Sequence, residues 1–357
     1  MKKLVYLILF YFIVNSVWAQ AINVSDKEKI NALVSEFMEA GNIPGMSISI
    51  SQKGVLVFSE GYGWADVEQQ VPVNPALTKF RIASISKTLT ADAIMQLVEG
   101  GKLNLDAPVQ TYVPTFPEKQ WPITTRLVAG HLGGIRHYSG NEFLSTKHYA
   151  NVSQGLTIFQ NDSLIYEPGT KYSYSSYGYN LISAIIEGAA GMDYLTYMQL
   201  NVFEKLAMAS TVPDFNNRII PNRGRYYQRT ANGVENSPYV DNSYKWAGGG
   251  FLSTSEDLIR FAQAHIGKEY LSESSLRILT TSQKTSDGNE TKYGIGWRTD
   301  IDKEGHSWIG HTGGAVGGTS KFMIYPNEEI IIVVLTNISN GRLGDFPDQL
   351  CWMLMEE

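Results

Sequence analysis

Residues 80–87 read Phe80-Arg81-Ile82-Ala83-Ser84-Ile85-Ser86-Lys87. This stretch opens a segment with helical spacing in Leu89, Ile94, Leu97 and Val98, stopped by Gly100-Gly101. Ser84 is the only serine of the chain with a lysine three places on. At i and i+3 of a helix the two side chains share a face and come within hydrogen-bond reach. The serine falls at the helix start, where free N–H groups and the dipole favour negative charge. A hydroxyl is a poor nucleophile until a base takes its proton. A lysine desolvated in a cleft has a lowered pKa and can be that base. Taken alone the pattern is so short that a surface serine and lysine on a helix is the better reading.

Outward from this stretch the hydrophobic period changes. Lys27 to Ala40 has helical spacing and ends at Gly41, Met46 to Ile50 alternates as a strand, and Val55 to Phe58 returns after a turn at Gln52-Lys53-Gly54. From Ser84 to about Val240 the chain reads mostly as helices and long loops, with Tyr179 to Ala189 one such helix. Four short β-like runs follow: Tyr293 to Trp297, Ser307 to His311, Ser320 to Tyr325 and Ile330 to Leu335. Phe346 to Met355 reads as a closing helix. The pattern predicts an α+β fold: an antiparallel sheet built from both chain ends, flanked by terminal helices, with a mostly helical region inserted. The expected organisation is one catalytic domain over residues 20–357. Its α/β part covers about 20–83 and 246–357, its helical part about 84–245.

The 357-residue chain is 43% hydrophobic and 18% charged, which excludes disordered and fibrous classes. A formal charge of −6 and a pI near 5.6 argue against a nucleic-acid surface, which needs a basic stripe. The single cysteine, Cys351, excludes an intrachain disulfide and a multi-thiolate metal site, and reads as a small buried residue of the last helix. Lys2 and Lys3 precede an apolar run from Leu4 to Val17, and Val17-Trp18-Ala19 fits signal-peptidase cleavage. Residues 1–19 are therefore expected to be a signal peptide. The run is too short for a comfortable bilayer span, and an uncleaved anchor is the alternative. The expectation is an exported protein, periplasmic or secreted, with no stable membrane insertion after cleavage.

There is no Gly-x-Ser-x-Gly elbow, phosphate loop, HExxH or dinucleotide glycine fingerprint. The six histidines never fall at metal-ligand spacing; His131 and His137, six apart in a glycine-containing loop, make a weak zinc pair. These features disfavour α/β-hydrolases, kinases, dehydrogenases and metallohydrolases. No metal and no cofactor are expected.

The Ser-x-x-Lys does not stand alone. Tyr174-Ser175-Ser176 follows Pro168-Gly169, and His311-Thr312-Gly313-Gly314 lies near the end. In this order and at these separations the three motifs resemble those of the penicillin-recognising serine hydrolases, the class C β-lactamase and D,D-peptidase superfamily. The chain looks most like the branch typified by the mitochondrial serine β-lactamase-like protein. Arg81 to Lys87, Pro108 to Lys119, His131 to Tyr138, Pro168 to Tyr179, Pro238 to Thr254 and His311 to Gly317 carry the resemblance through most of the chain after the leader.

The resemblance implies a β-lactamase/transpeptidase-like fold, Ser84 as acylating nucleophile, Lys87 as its base, and Tyr174 as a proton shuttle. It implies an oxyanion hole from the backbone N–H groups of Ser84 and Gly314. Ser176 stands where many relatives carry asparagine, and a hydroxyl is shorter and offers one donor. His311 stands where the third motif usually has lysine. At a reference pKa near 6.5 it is partly charged at neutral pH. Anionic-substrate affinity is then expected to fall as pH rises through the imidazole pKa. Gly313 and Gly314, beside Thr312, are expected to let the strand approach substrate closely. Arg136 and His137 resemble a cleft rim. Asp241, Asn242, Tyr244 and Lys245 precede Gly248 to Gly250 and either bind substrate or, for Asp241 and Lys245, form a surface i,i+4 ion pair.

The reading is a serine acyl hydrolase that takes a small peptide, a β-lactam or an ester through a covalent acyl-enzyme. D,D-peptidase, β-lactamase and related peptidase activities stay open, because fold and motif do not choose among them. An esterase on the same scaffold is one rival, favoured by the Ser176 and His311 departures. A non-catalytic acyl-binding or structural protein is the other.

Overall fold

The computed structural model describes residues 23–267 and 269–355; the leader read at residues 1–19 lies outside them. The run Ile330–Thr336 becomes the middle strand of a seven-stranded sheet and is buried along its whole length. Its alternate side chains enter two different cores. Ile331, Val333 and Leu335 pack with Leu89, Leu258 and Phe261, while Ile330, Ile332 and Val334 pack with Ile30, Val34 and Leu350. A continuous apolar run, instead of alternation, is what burial on both faces requires.

The chain begins with helix α1 (Val24–Gly41), capped by the Asn23 side chain and ended by Asn42 in the left-handed conformation, one residue beyond the expected Gly41. Strands β1 (Gly45–Gln52), β2 (Val55–Asp66), β3 (Val71–Pro72) and β4 (Phe80–Arg81) follow. A 3-10 turn at Ala83–Ile85 leads into α2 (Ser86–Glu99). The middle of the chain carries α3 (Thr125–Ala129), α4 (Val152–Leu156), α5 (Ser176–Ala190) and α6 (Tyr194–Met198). It also carries short strands β5 (Val212–Pro213), β6 (Tyr227–Thr230) and β7 (Gly233–Asn236), absent from the helices-and-loops expectation. Next come α7 (Trp246–Gly249), β8 (Phe251–Ser253), α8 (Ser255–Ile266) and α9 (Glu273–Thr280). Strands β9 (Arg298–Ile301), β10 (Ser307–Ala315), β11 (Gly318–Tyr325) and β12 (Ile330–Thr336) precede the closing α10 (Phe346–Met355).

The main sheet has the order β3-β2-β1-β12-β11-β10-β9, with antiparallel neighbours throughout. Met46 pairs with Thr336, so the two chain ends meet at the sheet centre. This is an α+β, β-lactamase/transpeptidase-like architecture. Helices α1 and α10 cover one face, with Phe37 stacked on Phe346 at 4.1 Å. Cys351 is buried there, as expected. Helices α2 and α8 lie on the other face. No described helix is long and apolar enough to cross a membrane.

One expected strand is not there. Tyr293 to Trp297 is irregular, with Gly296 at φ 77°, and strand pairing starts only at Arg298. The Ile295 N–H donates to Leu279 O, so the segment is held by α9 instead of by a neighbouring strand. The apolar run is explained by burial of Tyr293, Ile295 and Trp297 in that packing.

Because β12 is enclosed on both sides, Ile331→Ala and Ile332→Ala should each destabilise the protein by about 2–5 kcal/mol. A urea unfolding midpoint unchanged in either variant would mean that its face is open.

Candidate active site

The 3-10 turn that holds Ser84 is wedged between the two layers. Arg81, just before it, is fully buried: its Nε donates to Asp214 at 2.7 Å, its Nη1 donates to Val316 O at 2.7 Å, and its guanidinium lies 3.7 Å from the Tyr226 ring. Ser320 Oγ, on β11, donates to Ile82 O at 2.9 Å. Ala83 sits in the left-handed region at φ 49°. For a residue with a Cβ that conformation costs roughly 1–2 kcal/mol, a local strain held by the surrounding contacts.

Lys87 is buried on the first turn of α2, and its Nζ lies 3.1 Å from Ser84 Oγ, 3.3 Å from Ser176 Oγ and 2.5 Å from Gly248 O. Burial, reinforced by nearby Lys245, holds its pKa well below the ordinary lysine value. A neutral amine has two N–H groups and one lone pair. Gly248 O and Ser176 Oγ take the two hydrogens, which leaves the lone pair for the Ser84 hydroxyl proton.

Tyr174 is half-buried. Burial pushes its phenol pKa well up, and the nearby Ser84 hydroxyl opposes that shift only in part. Its ring centroid is 5.0 Å from Lys87 Nζ. The residue therefore stays a neutral phenol beside both Ser84 and Lys87. Ser176 opens α5 and is nearly inaccessible. Expected as a substrate donor, its hydroxyl also holds the Lys87 amine.

Two imidazoles hold the start of α5. His131 Nδ1 accepts from Ser175 N–H at 3.2 Å, and His137 Nδ1 accepts from Ser176 N–H at 3.1 Å. Burial and Lys87 push the His131 pKa well down; burial, Lys87 and Lys245 push that of His137 down to about 4. Both rings are neutral, and each is occupied as a structural acceptor.

The third motif lies on β10. His311 Nδ1 donates to Thr312 O at 2.6 Å, and its Nε2 accepts from the Tyr293 hydroxyl at 2.9 Å. Burial and Lys87 drive its pKa well below the ordinary histidine value. The expectation of a partly charged His311 is therefore corrected. The ring is buried and neutral, and it cannot stand in for the lysine of the family motif. Gly313 also differs from expectation. A Cβ there would fall 2.2 Å from Ser320 Oγ and 2.4 Å from Ile82 O, so its missing side chain admits the turn that bears Ser84, not substrate. Gly314 faces open space and, with Ala315, reaches the cleft.

The cleft over Ser84 has a volume of about 370 Å³. Its walls include Tyr174, Ser176, Tyr138, Phe143, His137 and Lys245, with Gly248 and Gly249 behind. Arg136 is not a rim residue that awaits substrate; it is paired with Glu142 at 2.7 Å and Asp162 at 2.5 Å. Asp241 and Lys245 form no surface pair either. Both are buried, no helix joins them, and Asp241 binds His148 at 3.0 Å. Asn242 is buried on Asp214 at 2.8 Å, and the Tyr244 hydroxyl donates to Glu142 O at 3.0 Å. Tyr138, Phe143 and the carbonyl of Gly248 are site groups that sequence reasoning missed. The only signal was that Tyr138 ends the stretch His131 to Tyr138 and Gly248 opens a glycine run.

The chain matches the Beta-lactamase family over residues 30–349. It is 34% identical over 396 residues to the human "Serine beta-lactamase-like protein LACTB, mitochondrial", across 84% of this chain and 72% of that protein. Among solved structures it resembles the octameric penicillin-binding protein homologue from Pyrococcus abyssi, with TM-score 0.80 and 26% identity over 93% of this chain and 77% of that one. The D-amino acid amidase from Ochrobactrum anthropi SV3, at 21% identity and TM-score 0.80 over 93% of this chain and 98% of the other, shares the fold.

Gly313→Ala should lower stability by about 1–3 kcal/mol through overpacking against the turn that bears Ser84. Gly314→Ala, with nothing within 4 Å of its Cβ, should leave the thermal unfolding midpoint nearly unchanged. Equal midpoints for the two variants would contradict this assignment of the glycines.

Proposed function

The chain belongs to the beta-lactamase family, and on that footing we propose that it is a serine acyl hydrolase that works through an acyl-enzyme on Ser84. The observation that carries this reading is the Ser84–Lys87 contact at 3.1 Å around a buried amine. Lys87 takes the Ser84 proton as Oγ attacks the substrate carbonyl carbon. Negative charge develops on the carbonyl oxygen, and the N–H groups of Ser84 and Gly314 stabilise it; one such donor is typically worth about 10²–10³ in rate. The C–N or C–O bond then breaks, and the proton passes from Lys87 through the Tyr174 phenol to the leaving group. Water, deprotonated by the same pair, releases the acyl group and returns the proton to Ser84.

The substrate is an amide or peptide, as for D,D-peptidases and β-lactamases. A carboxylesterase on the same site is a second reading, favoured by one observation: buried, neutral His311 removes the cation that the third motif usually offers a carboxylate. Residues 1–19 act as an export signal to the periplasm or medium. Their basic start and almost unbroken apolar run differ from the amphipathic, Arg- and Ser-rich pattern of a mitochondrial presequence. Protein recovered from the exported fraction should begin at Gln20, and an intact Met1 there would refute cleavage.

Fluorophosphonate labelling read by intact mass should give one adduct, absent in Ser84→Ala. No adduct on the wild type would favour the non-catalytic alternative. Lys87 must be neutral to act, and its pKa is depressed. The rate with a p-nitrophenyl ester should therefore rise with pH and level off well below the ordinary lysine pKa near 10.5. Lys87→Arg, permanently charged, should lose at least about 10²-fold at every pH. A rise that tracks an unperturbed lysine would exclude the buried amine as base.

A further inference from the structure

We infer that Lys245 is the residue that receives a substrate carboxylate in the cleft over Ser84, in place of the third-motif cation that His311 does not provide. The inference rests on the hydrolase reading above for the identity of the cleft. Lys245 lines that cleft with Ser84 and Tyr174, yet it is almost fully buried. Its Nζ faces rings instead of an acid: Phe143 at 4.6 Å, Tyr244 at 5.2 Å and Tyr138 at 5.7 Å from the ring centroids.

The nearby carboxylates are already engaged. Asp214 holds Arg81 at 2.7 Å and Arg223 at 3.6 Å, and accepts from Asn242 at 2.8 Å. Asp241 holds His148 at 3.0 Å and accepts from Ser243 N–H at 2.8 Å. Among the described residues Lys245 has no ion-pair partner within 4.0 Å, whereas a buried cation is costly unless paired. Its position is also fixed. Its N–H donates to Asn242 O, and its carbonyl accepts from Gly248 and Gly249 N–H at 3.1 and 2.8 Å. The turn that presents Lys245 is thus the one that presents Gly248 O to Lys87. Burial and Arg81 lower the Lys245 pKa to about 7, with Asp214 and Asp241 opposing only in part. An incoming carboxylate supplies the missing counter-charge.

The test compares two matched ester pairs in wild type, Lys245→Met and Lys245→Arg. One pair, mono-p-nitrophenyl glutarate and p-nitrophenyl pentanoate, carries the anion on the acyl side. The other, 3-carboxyphenyl and phenyl acetate, carries it on the leaving side. The readout is the anionic-to-neutral ratio of kcat/KM. Any effect of Lys245 on the Lys87 pKa acts on both members of a pair and cancels. The ratio should fall about 10–100-fold in Lys245→Met for at least one pair, through KM, and be largely retained in Lys245→Arg. An unchanged ratio in both pairs overturns the inference.

Binding of mono-p-nitrophenyl glutarate and of 3-carboxyphenyl acetate to Ser84→Ala, followed by calorimetry, gives an arm free of turnover. Adding Lys245→Met should weaken at least one by a similar factor, and equal affinities for both overturn the inference. If Ser84→Ala hydrolyses the esters as fast as wild type, the nucleophile reading fails on its own, and the calorimetric arm still decides the role of Lys245.

Discussion

The site depends on holding one amine well below the ordinary lysine pKa. Lys87 is buried where three segments meet: the turn that bears Ser84, the start of α5 and the glycine turn of α7. Each supplies one oxygen within 3.3 Å of its Nζ. An ammonium in that position would face a desolvation cost with no carboxylate to offset it. The same burial that lowers the amine's pKa also joins these three segments. Loss of any one segment would leave a buried polar group unmatched.

Around that amine the protein has removed other charges. Tyr174 stays protonated, and His131, His137 and His311 stay neutral, each through burial. Lys245 is the second lysine of the cleft and appears as a downward influence on both Lys87 and His137. Among the described residues neither lysine has an ion-pair partner within 4.0 Å, and both side chains are buried, which strengthens the electrostatics between them.

Much of the architecture was legible in the sequence. The apolar run at Ile330–Thr336, the alternation at Met46 to Ile50 and the spacing of α2, α5 and α10 are local patterns, and local patterns carry the burial of an element's face. Ser84 and Lys87 were legible because their chemistry lies within one helical turn. The remainder of the site was not, because it depends on what distant segments do to one another. His311 is neutral only because Tyr293 and its own strand enclose it. Gly313 is required by Ile82, far away in sequence, as well as by Ser320 across the β10–β11 hairpin. Tyr293 to Trp297 reads as a strand by composition, but the packing of α9 claims it. Asp241 and Lys245 have the spacing of a helical pair in a segment that forms no helix.

The pairing of Met46 with Thr336 has a temporal consequence. Ser84 is made early in synthesis, yet the strand that backs it, β10, and the sheet centre that positions β10 are made last. Until β10 and β12 have been made, the hydroxyl has no neighbouring strand of the main sheet. A growing chain thus carries an unenclosed serine, and its surroundings are complete only when the two ends close.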